Sequence, residues 1–138
     1  MVTKKLDAIN DYENSINIAS EILKSGGIVA VPTETVYGLA ASAYSDDAIK
    51  SVFTAKGRPQ DNPLIVHIAS IDMLDDIACD IPDVAYECAK AFWPGPFTMV
   101  LPKGDNIAES VSGGLNTVAV RFPSEKTICD IINTDMLY

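Results

Sequence analysis

The order of hydrophobic and polar positions predicts a chain in which helices and strands alternate. Residues 14–25 carry apolar side chains at helical spacing, with Asn14 or Ser15 as the expected cap and Gly26-Gly27 as the end. Apolar runs predict strands at 27–31, 64–69, 97–102 and 117–122, and the apolar segment 39–44 is a further candidate strand. The other predicted helices are 46–55 with Asp46 as cap, 71–79, 83–92, and a last one from Ser124 or Glu125 to about Asn133.

This alternation predicts an α/β domain built on one sheet. No helical segment separates 97–102 from 117–122, so we expect a mixed sheet instead of a fully parallel one. A length of 138 residues suffices for an independent core, and we expect a single domain, residues 1–138.

Polar residues interrupt two of the predicted strands. In 64–69, alternation places His67 on the same face as Ile65, and in 117–122 it places Thr117 and Arg121 on one face, about 13 Å apart. A strand histidine is commonly a satisfied sheet residue, and a strand arginine commonly reaches water. Contact with a ligand is the alternative for both.

The charge balance limits the classes of partner. With 19 acidic and 10 basic residues the net charge is −9, which disfavours nucleic-acid binding over the whole surface and makes Lys56, Arg58 and Arg121 more informative. The sequence has neither an apolar run of about 20 residues nor a secretory signal, so we expect a cytosolic protein without membrane contact. The three cysteines lack metal-ligand spacing and are expected to be reduced thiols in the core.

Two proline-bounded segments carry the candidate chemistry. Residues 32–38, PTETVYG, follow the first strand, where α/β sheets commonly bind ligands, although an ordinary capped turn is the alternative. Residues 56–63, KGRPQDNP, hold Lys56 and Arg58 beside restricted backbone. A phosphate about 4 Å from one cation gains about 4 kcal/mol at an effective dielectric near 20, so this loop is a candidate anion clamp. Lys56 alone would also suit a helix C-terminus.

A further segment, WPGPFT at 93–98, is predicted to be mainly structural, with Trp93 packed beneath a rigid turn and Thr98 as a candidate ligand contact. Neither a G-x-G-x-x-G fingerprint nor a P-loop motif occurs in the chain.

Together, PTETVYGLA, KGRPQDNPLIVHI, WPGPFT and TVAVRFP, in this order, resemble the YrdC-like family of threonylcarbamoyl-AMP synthases from about residue 14 to 133. The resemblance implies a YrdC-like fold, an open twisted α/β sheet with helices packed on it and a concave positive groove. It also implies that L-threonine, bicarbonate and ATP are joined into threonylcarbamoyl-AMP and pyrophosphate. The product would serve N6-threonylcarbamoylation of adenosine 37 in transfer RNA, together with downstream tRNA-modification proteins.

The resemblance also implies roles for seven residues. Those expected to bind threonine are Thr35, His67 and Arg121. Those expected to bind ATP are Lys56, Arg58, Asn62 and Thr117, with Lys56 and Arg58 as the catalytic pair. No dedicated metal cage is evident, so Mg²⁺ is expected to arrive with ATP.

One departure from the family pattern is clear. The family continues into an S-x-N segment that completes the site, and no S-x-N follows Arg121 here. We therefore expect a truncated domain that lacks a strand and part of the nucleotide pocket and is not fully active. The alternatives are a non-catalytic YrdC-like module that binds RNA or ribosomal particles through its groove, and a carbamoyl-transfer domain within a larger enzyme.

Overall fold

The computed structural model describes residues 2–135, and its helices and strands follow the predicted alternation. The helices are α1 (Tyr12–Lys24), α2 (Asp46–Lys56), α3 (Leu74–Ile77), α4 (Asp83–Phe92) and α5 (Lys126–Asp135). The strands are β1 (Val29–Val31), β2 (Gly38–Ala40), β3 (Ile65–His67), β4 (Thr98–Pro102) and β5 (Thr117–Arg121). Two short 3-10 turns, Ile71–Met73 and Glu109–Val111, complete the described elements.

The strands form two hydrogen-bonded sheets. β1 and β2 make an antiparallel pair, and the second sheet has the order β3-β5-β4. The central strand β5 is parallel to β3 and antiparallel to β4. The predicted mixed α/β sheet is therefore confirmed, but the described strands are divided between two sheets instead of one. Residues of β2 and β3 line the same cavity but are not hydrogen-bonded to each other.

The main core lies on one face of the three-stranded sheet. Val66, Val118 and Val120 of β3 and β5 are at most 3% exposed. Residues of α2, α3 and α4 pack against this face, as does Trp93. Because side chains alternate along a strand, burial of these valines leaves the intervening residues on the opposite, open face.

A second, smaller core joins the two ends of the described chain. Apolar residues of α1 and α5 pack together with Val31 of β1. Ser20 Oγ donates a buried hydrogen bond to the Ile131 carbonyl at 3.3 Å. At the rim, Tyr12 OH donates to Asp130 Oδ2 at 2.6 Å, and Lys126 pairs with the same carboxylate. This packing fixes the segment that leads from β5 into α5.

Several predicted boundaries are wrong for local physical reasons. The strand predicted at 39–44 ends at Ala40, because the following residues turn into α2 and Ser45 N donates to the Ser42 carbonyl. Ser45 caps α2 by accepting from Ala48 N, so Asp46 is not the cap. Helix α1 begins at Tyr12, two residues before the predicted start. Helix α5 begins just after Glu125, whose carboxylate accepts from Ile128 N.

The helix predicted at 71–79 is broken into a 3-10 turn and the single turn of α3. The chain leaves the helix because Ala78 forms a bridge with Lys103, and Cys79 N donates to the Pro102 carbonyl.

Cys79 is consequently exposed, which corrects the expectation that all three cysteines lie in the core. Burial raises the pKa of the Cys129 thiol to about 11, so this thiol is protonated at neutral pH.

The turn after α4 has the predicted structural role. Trp93 is 7% exposed, and its Nε1 donates to the Phe97 carbonyl at 2.6 Å. Gly95 N donates to the Phe122 carbonyl at 2.8 Å, which joins the turn to the end of β5.

Within residues 2–135, none of the helices has the length and apolarity needed to cross a membrane.

The two faces of β3 can be tested with one chemical change at two nearby positions. Ile68 is fully buried, whereas Ile65 is 45% exposed on the open face. We expect Ile68→Ala to lower the free energy of unfolding by about 2–5 kcal/mol through lost burial and a cavity. Ile65→Ala is the matched control and should cost less than about 1 kcal/mol. Urea unfolding of both variants measures the difference, and equal losses would contradict the assigned faces.

Candidate functional site

A row of polar side chains crosses the open face of the three-stranded sheet. In the strand register, His67 of β3 is opposite Arg121 of β5, and Arg121 is opposite Thr98 of β4. Residues directly opposite each other project from the same face, so the three side chains form one row. Thr117 lies on the same face at the other end of β5. The predicted common face of Thr117 and Arg121 is therefore confirmed, and His67 belongs to it.

His67 is half-buried within this row, and its Nδ1 lies 3.2 Å from the Ile65 carbonyl oxygen. A carbonyl oxygen only accepts, so Nδ1 carries the proton and the neutral ring presents Nε2 as an acceptor. Burial is the largest influence and lowers the pKa of His67 below 6.5, and the charge of Arg121 acts in the same direction. The hydrogen bond to Ile65 and the charge of Glu34 oppose this shift. The imidazole is consequently neutral at pH 7.

The loop after β1 reaches the polar row through Glu34. Its Oε2 accepts from Arg121 Nη2 at 2.6 Å, and its Oε1 accepts from Ser124 N at 2.7 Å and from Ser124 Oγ at 3.1 Å. Thr33 Oγ1 accepts from the backbone N–H groups of Thr35 and Val36, both at 3.2 Å, which holds the loop in a tight turn. The loop is thus fixed both internally and to the end of β5.

The environment of Glu34 favours the ionised carboxylate. Partial burial alone would raise the pKa of Glu34, but the hydrogen bonds from Ser124 and the charge of Arg121 outweigh burial and lower the pKa below 4.5. The side chains of Glu34 and Arg121 are 18% and 14% exposed. A charge-assisted bond in this shielded position is stronger than one on an open surface.

A cavity of about 320 Å³ opens beside the row, between the two sheets. Its walls come mainly from apolar residues of β1, β2, α2, β3 and α5. The polar side chains that line it are Thr33, Lys56 and His67. Lys56 at the end of α2 and His67 at the end of β3 are thus brought to one space, although eleven positions separate them along the chain.

Helix α2 ends in a tight turn that redirects the chain between Lys56 and Arg58. Gly57 adopts a left-handed conformation with φ of 61°, and Arg58 N donates to the Phe53 carbonyl at 3.1 Å. Glycine is suited to this position because it lacks the Cβ that opposes positive φ. Both cations are exposed, and neither forms an ion pair with a carboxylate within residues 2–135. They remain free to contact an anion.

The segment that follows Arg58 packs against the turn before β5. Leu64 N donates to the Val111 carbonyl at 2.8 Å, and a Cβ placed on Gly113 would lie 2.9 Å from the Asp61 carbonyl oxygen. The backbones of the two loops therefore approach too closely for any side chain at Gly113. This contact holds the predicted anion clamp in place.

Comparison with known proteins agrees with this geometry. A family model described as "Telomere recombination", for Sua5, YciO and YrdC proteins, matches residues 21–137. The threonylcarbamoyl-AMP synthase of Pyrococcus abyssi is 51% identical over 120 residues, which cover 87% of this chain and 35% of that protein. The threonylcarbamoyl-AMP synthase of Bacillus subtilis is 48% identical over 118 residues, covering 85% of this chain and 34% of that protein.

The crystal structure of P. abyssi Sua5 complexed with L-threonine superposes with a TM-score of 0.88 at 46% identity, covering 97% of this chain and 38% of that one. The chain belongs to the Sua5/YciO/YrdC family. It spans about a third of the length of these two curated relatives. The fold and the family implied by the four sequence motifs are therefore confirmed.

The Sua5/YciO/YrdC domain brings some of the predicted site residues together and leaves others apart. His67 and Arg121 are neighbours in one row, and Lys56 shares the cavity with His67. Thr35 follows Glu34 in the loop that reaches Arg121. The remaining three are exposed residues: Arg58, Asn62 and Thr117. Of the seven, only Lys56 and His67 line the cavity among the described residues. The ligand roles assigned to all seven residues stay predictions.

The sequence analysis missed the contacts of Glu34 and Ser124. One available signal was that Glu34 is the sole acidic residue between Glu21 and Asp46 in an otherwise acidic chain, three residues after the end of β1. Among residues 2–135, no group of three or more His, Cys, Asp or Glu side chains is arranged to hold a metal ion.

The contact between the two loops predicts different effects for adjacent glycines. Gly113→Ala combines a strained φ of 61° with a clash at Asp61, whereas Gly114→Ala has a φ of 81° and no neighbour within 4 Å. We expect Gly113→Ala to lower the free energy of unfolding by about 1–3 kcal/mol more than Gly114→Ala. Denaturant unfolding measures both. Equal losses would show that backbone strain alone, and not loop packing, determines the cost.

The lowered pKa of His67 predicts acid sensitivity with a defined sign. Below pH 6.5 the unfolded chain binds a proton at His67 more readily than the folded chain, so the free energy of unfolding should fall as the pH drops from about 6.5. His67 is the only histidine, so His67→Gln should flatten this part of the profile. Glu34 contributes only at lower pH, because its pKa lies below 4.5. Thermal melts from pH 8 to 5 provide the measurement, and parallel profiles would contradict a neutral, buried His67.

Proposed function

We propose that the chain is a catalytic part of a threonylcarbamoyl-AMP synthase, which forms threonylcarbamoyl-AMP and pyrophosphate from L-threonine, bicarbonate and ATP. The observation that carries the proposal is the pairing of His67 with Arg121 on the open sheet face. It is supported by close relatives that bear this enzyme name and by the structure of one relative with L-threonine.

The amino-acid side of the proposed site uses Arg121, His67 and Thr35. Arg121 offers a guanidinium whose N–H groups suit a carboxylate, and its Nε is buried without a hydrogen-bond partner among the described residues. The free Nε2 of neutral His67 is an acceptor for the amine or hydroxyl of threonine. Thr35 would add a hydroxyl from the loop after β1. These groups suit a small amino acid with a polar side chain.

The nucleotide side uses the cations at the end of α2. Lys56 and Arg58 are exposed and form no ion pair with the residues that the structure describes, so their charge is available to the phosphates of ATP. Asn62 follows in the same loop, and Thr117 lies four strand residues from Arg121, about 13 Å along β5. This separation suits a substrate that extends from an amino-acid site to a nucleotide site.

The chemistry requires positioning and charge stabilisation. The amine of threonine attacks the carbon of bicarbonate, and loss of water leaves an N-carboxylate. An oxygen of that carboxylate then attacks the α-phosphorus of ATP, the bond to the β,γ-diphosphate breaks, and pyrophosphate leaves with the bonding pair. Lys56 and Arg58 would offset negative charge on the transferring and leaving oxygens. Mg²⁺ would enter as part of the substrate Mg–ATP.

The product would be consumed in the cytoplasm by proteins that modify adenosine 37 of transfer RNA. A net charge of −9 favours a weak contact with RNA over a strong one, because phosphates are repelled by most of the surface. This charge is also the reason to prefer the synthase over a YrdC-like module whose only role is to bind RNA.

Pyrophosphate release from ATP tests the function. We expect release that requires both threonine and bicarbonate, and a decrease of about a hundredfold in kcat/KM for Lys56→Ala or Arg58→Ala. Lys90→Ala is the matched control, since Lys90 is likewise an exposed lysine in the last turn of a helix. It should retain wild-type turnover.

Two results would contradict the proposal. The first is that the wild-type protein releases no pyrophosphate when threonine and bicarbonate are supplied, while a synthetic transfer RNA binds it tightly at physiological salt. The second is that Arg58→Ala leaves turnover unchanged, which would remove the phosphate role from this loop.

A further inference from the structure

The carboxylate of Glu34 joins three separate segments at the polar row. Its two oxygens are divided between Arg121 at the end of β5 and Ser124 before α5, with distances of 2.6 Å to Arg121 Nη2 and 2.7 Å to Ser124 N. Glu34 itself belongs to the loop after β1. Its side chain and that of Arg121 are both largely shielded from water. This arrangement is more specific than a surface ion pair.

The division of the oxygens leaves one donor of Arg121 without an acceptor. A guanidinium can bind a carboxylate through two parallel N–H···O bonds, but Glu34 gives only Oε2 to Arg121 because Oε1 accepts both bonds from Ser124. Arg121 Nε is buried and has no partner within residues 2–135. Buried donors in folded proteins nearly always have partners, so the hydrogen-bonding capacity of Arg121 is not fully used by Glu34.

We propose that Glu34 is a positioning residue for the amino-acid substrate: it holds the Arg121 guanidinium through Nη2 and so fixes the orientation of the other N–H donors that would receive the carboxylate. The identification of that substrate as threonine depends on the proposed function. An arginine side chain loses rotational freedom when it binds a ligand, and Glu34 removes part of that freedom beforehand. His67 is opposite Arg121 in the strand register and offers Nε2 as an acceptor on the same face.

Glu34 could act in the opposite way, because its negative charge also repels a substrate carboxylate. Three donors already share that charge, namely Arg121 Nη2 and the N–H and hydroxyl of Ser124. Hydrogen bonds of this kind stabilise the charge where it lies and reduce its effect on a neighbouring anion. Positioning is therefore the expected dominant effect, and the sign of the change in affinity decides between the two.

Threonine binding by Glu34 variants tests the proposal. Glu34→Gln removes the charge, and Glu34→Asp keeps the charge but shortens the reach to Arg121. We expect both to weaken threonine binding by about tenfold in calorimetric titrations without ATP, with less than about a twofold change in the KM for ATP. Glu109→Gln is the matched control, since Glu109 pairs with Lys103 at 2.8 Å on the surface. It should bind threonine as the wild type does.

Each outcome has a distinct meaning. Weaker threonine binding with unchanged ATP kinetics supports positioning, since a general structural defect would affect both substrates. Equal or tighter binding by Glu34→Gln would overturn the positioning role while leaving the proposed function intact. Absence of threonine binding by the wild type would overturn the proposed function and with it the assignment of the substrate. If Glu34→Gln does not fold, as judged by circular dichroism, Glu34→Asp carries the same test.

Discussion

The placement of β5 between two hydrogen-bonded neighbours is the constraint on which the candidate site depends. Its partners on both sides fix the register that sets Arg121 opposite His67 and Thr98. Burial of Val118 and Val120 on the other face enforces that register. A slip of one residue would expose both valines and force the charge of Arg121 into the core. The same strand register therefore determines both the burial of the core valines and the orientation of the polar row.

Arg121 also shows how the fold tolerates a shielded charge. Removing a guanidinium from water is costly unless an anion and further hydrogen bonds compensate. Glu34 provides the anion, and Ser124 satisfies the second oxygen of that carboxylate. The compensation is incomplete, because Nε remains without a partner among the described residues. A buried donor without a partner reduces the stability of the folded protein, so Arg121 is held at this position at a cost.

The sequence predicted local features of this site better than distant ones. The common face of Thr117 and Arg121 followed from strand alternation, and the position of Lys56 at a helix end followed from the predicted helix 46–55. The contact between Glu34 and Arg121 spans 87 positions and could not be predicted, because periodicity gives the face of a strand but not which loop reaches it. The prediction of a helix at 71–79 was wrong for the same reason. A bridge between Ala78 and the distant Lys103 interrupts that segment.

The cations of the site fall into two physical types, and the difference suits two kinds of anion. Arg121 is shielded and held by Glu34, which suits a single carboxylate whose two oxygens require defined geometry. Lys56 and Arg58 are exposed and unpaired within the described residues, although the chain has 19 acidic residues. A phosphate chain spreads its charge over many oxygens and changes shape when a bond to phosphorus breaks. Two exposed cations can stabilise charge on several of these oxygens, whereas a guanidinium already held by Glu34 presents one fixed set of donors.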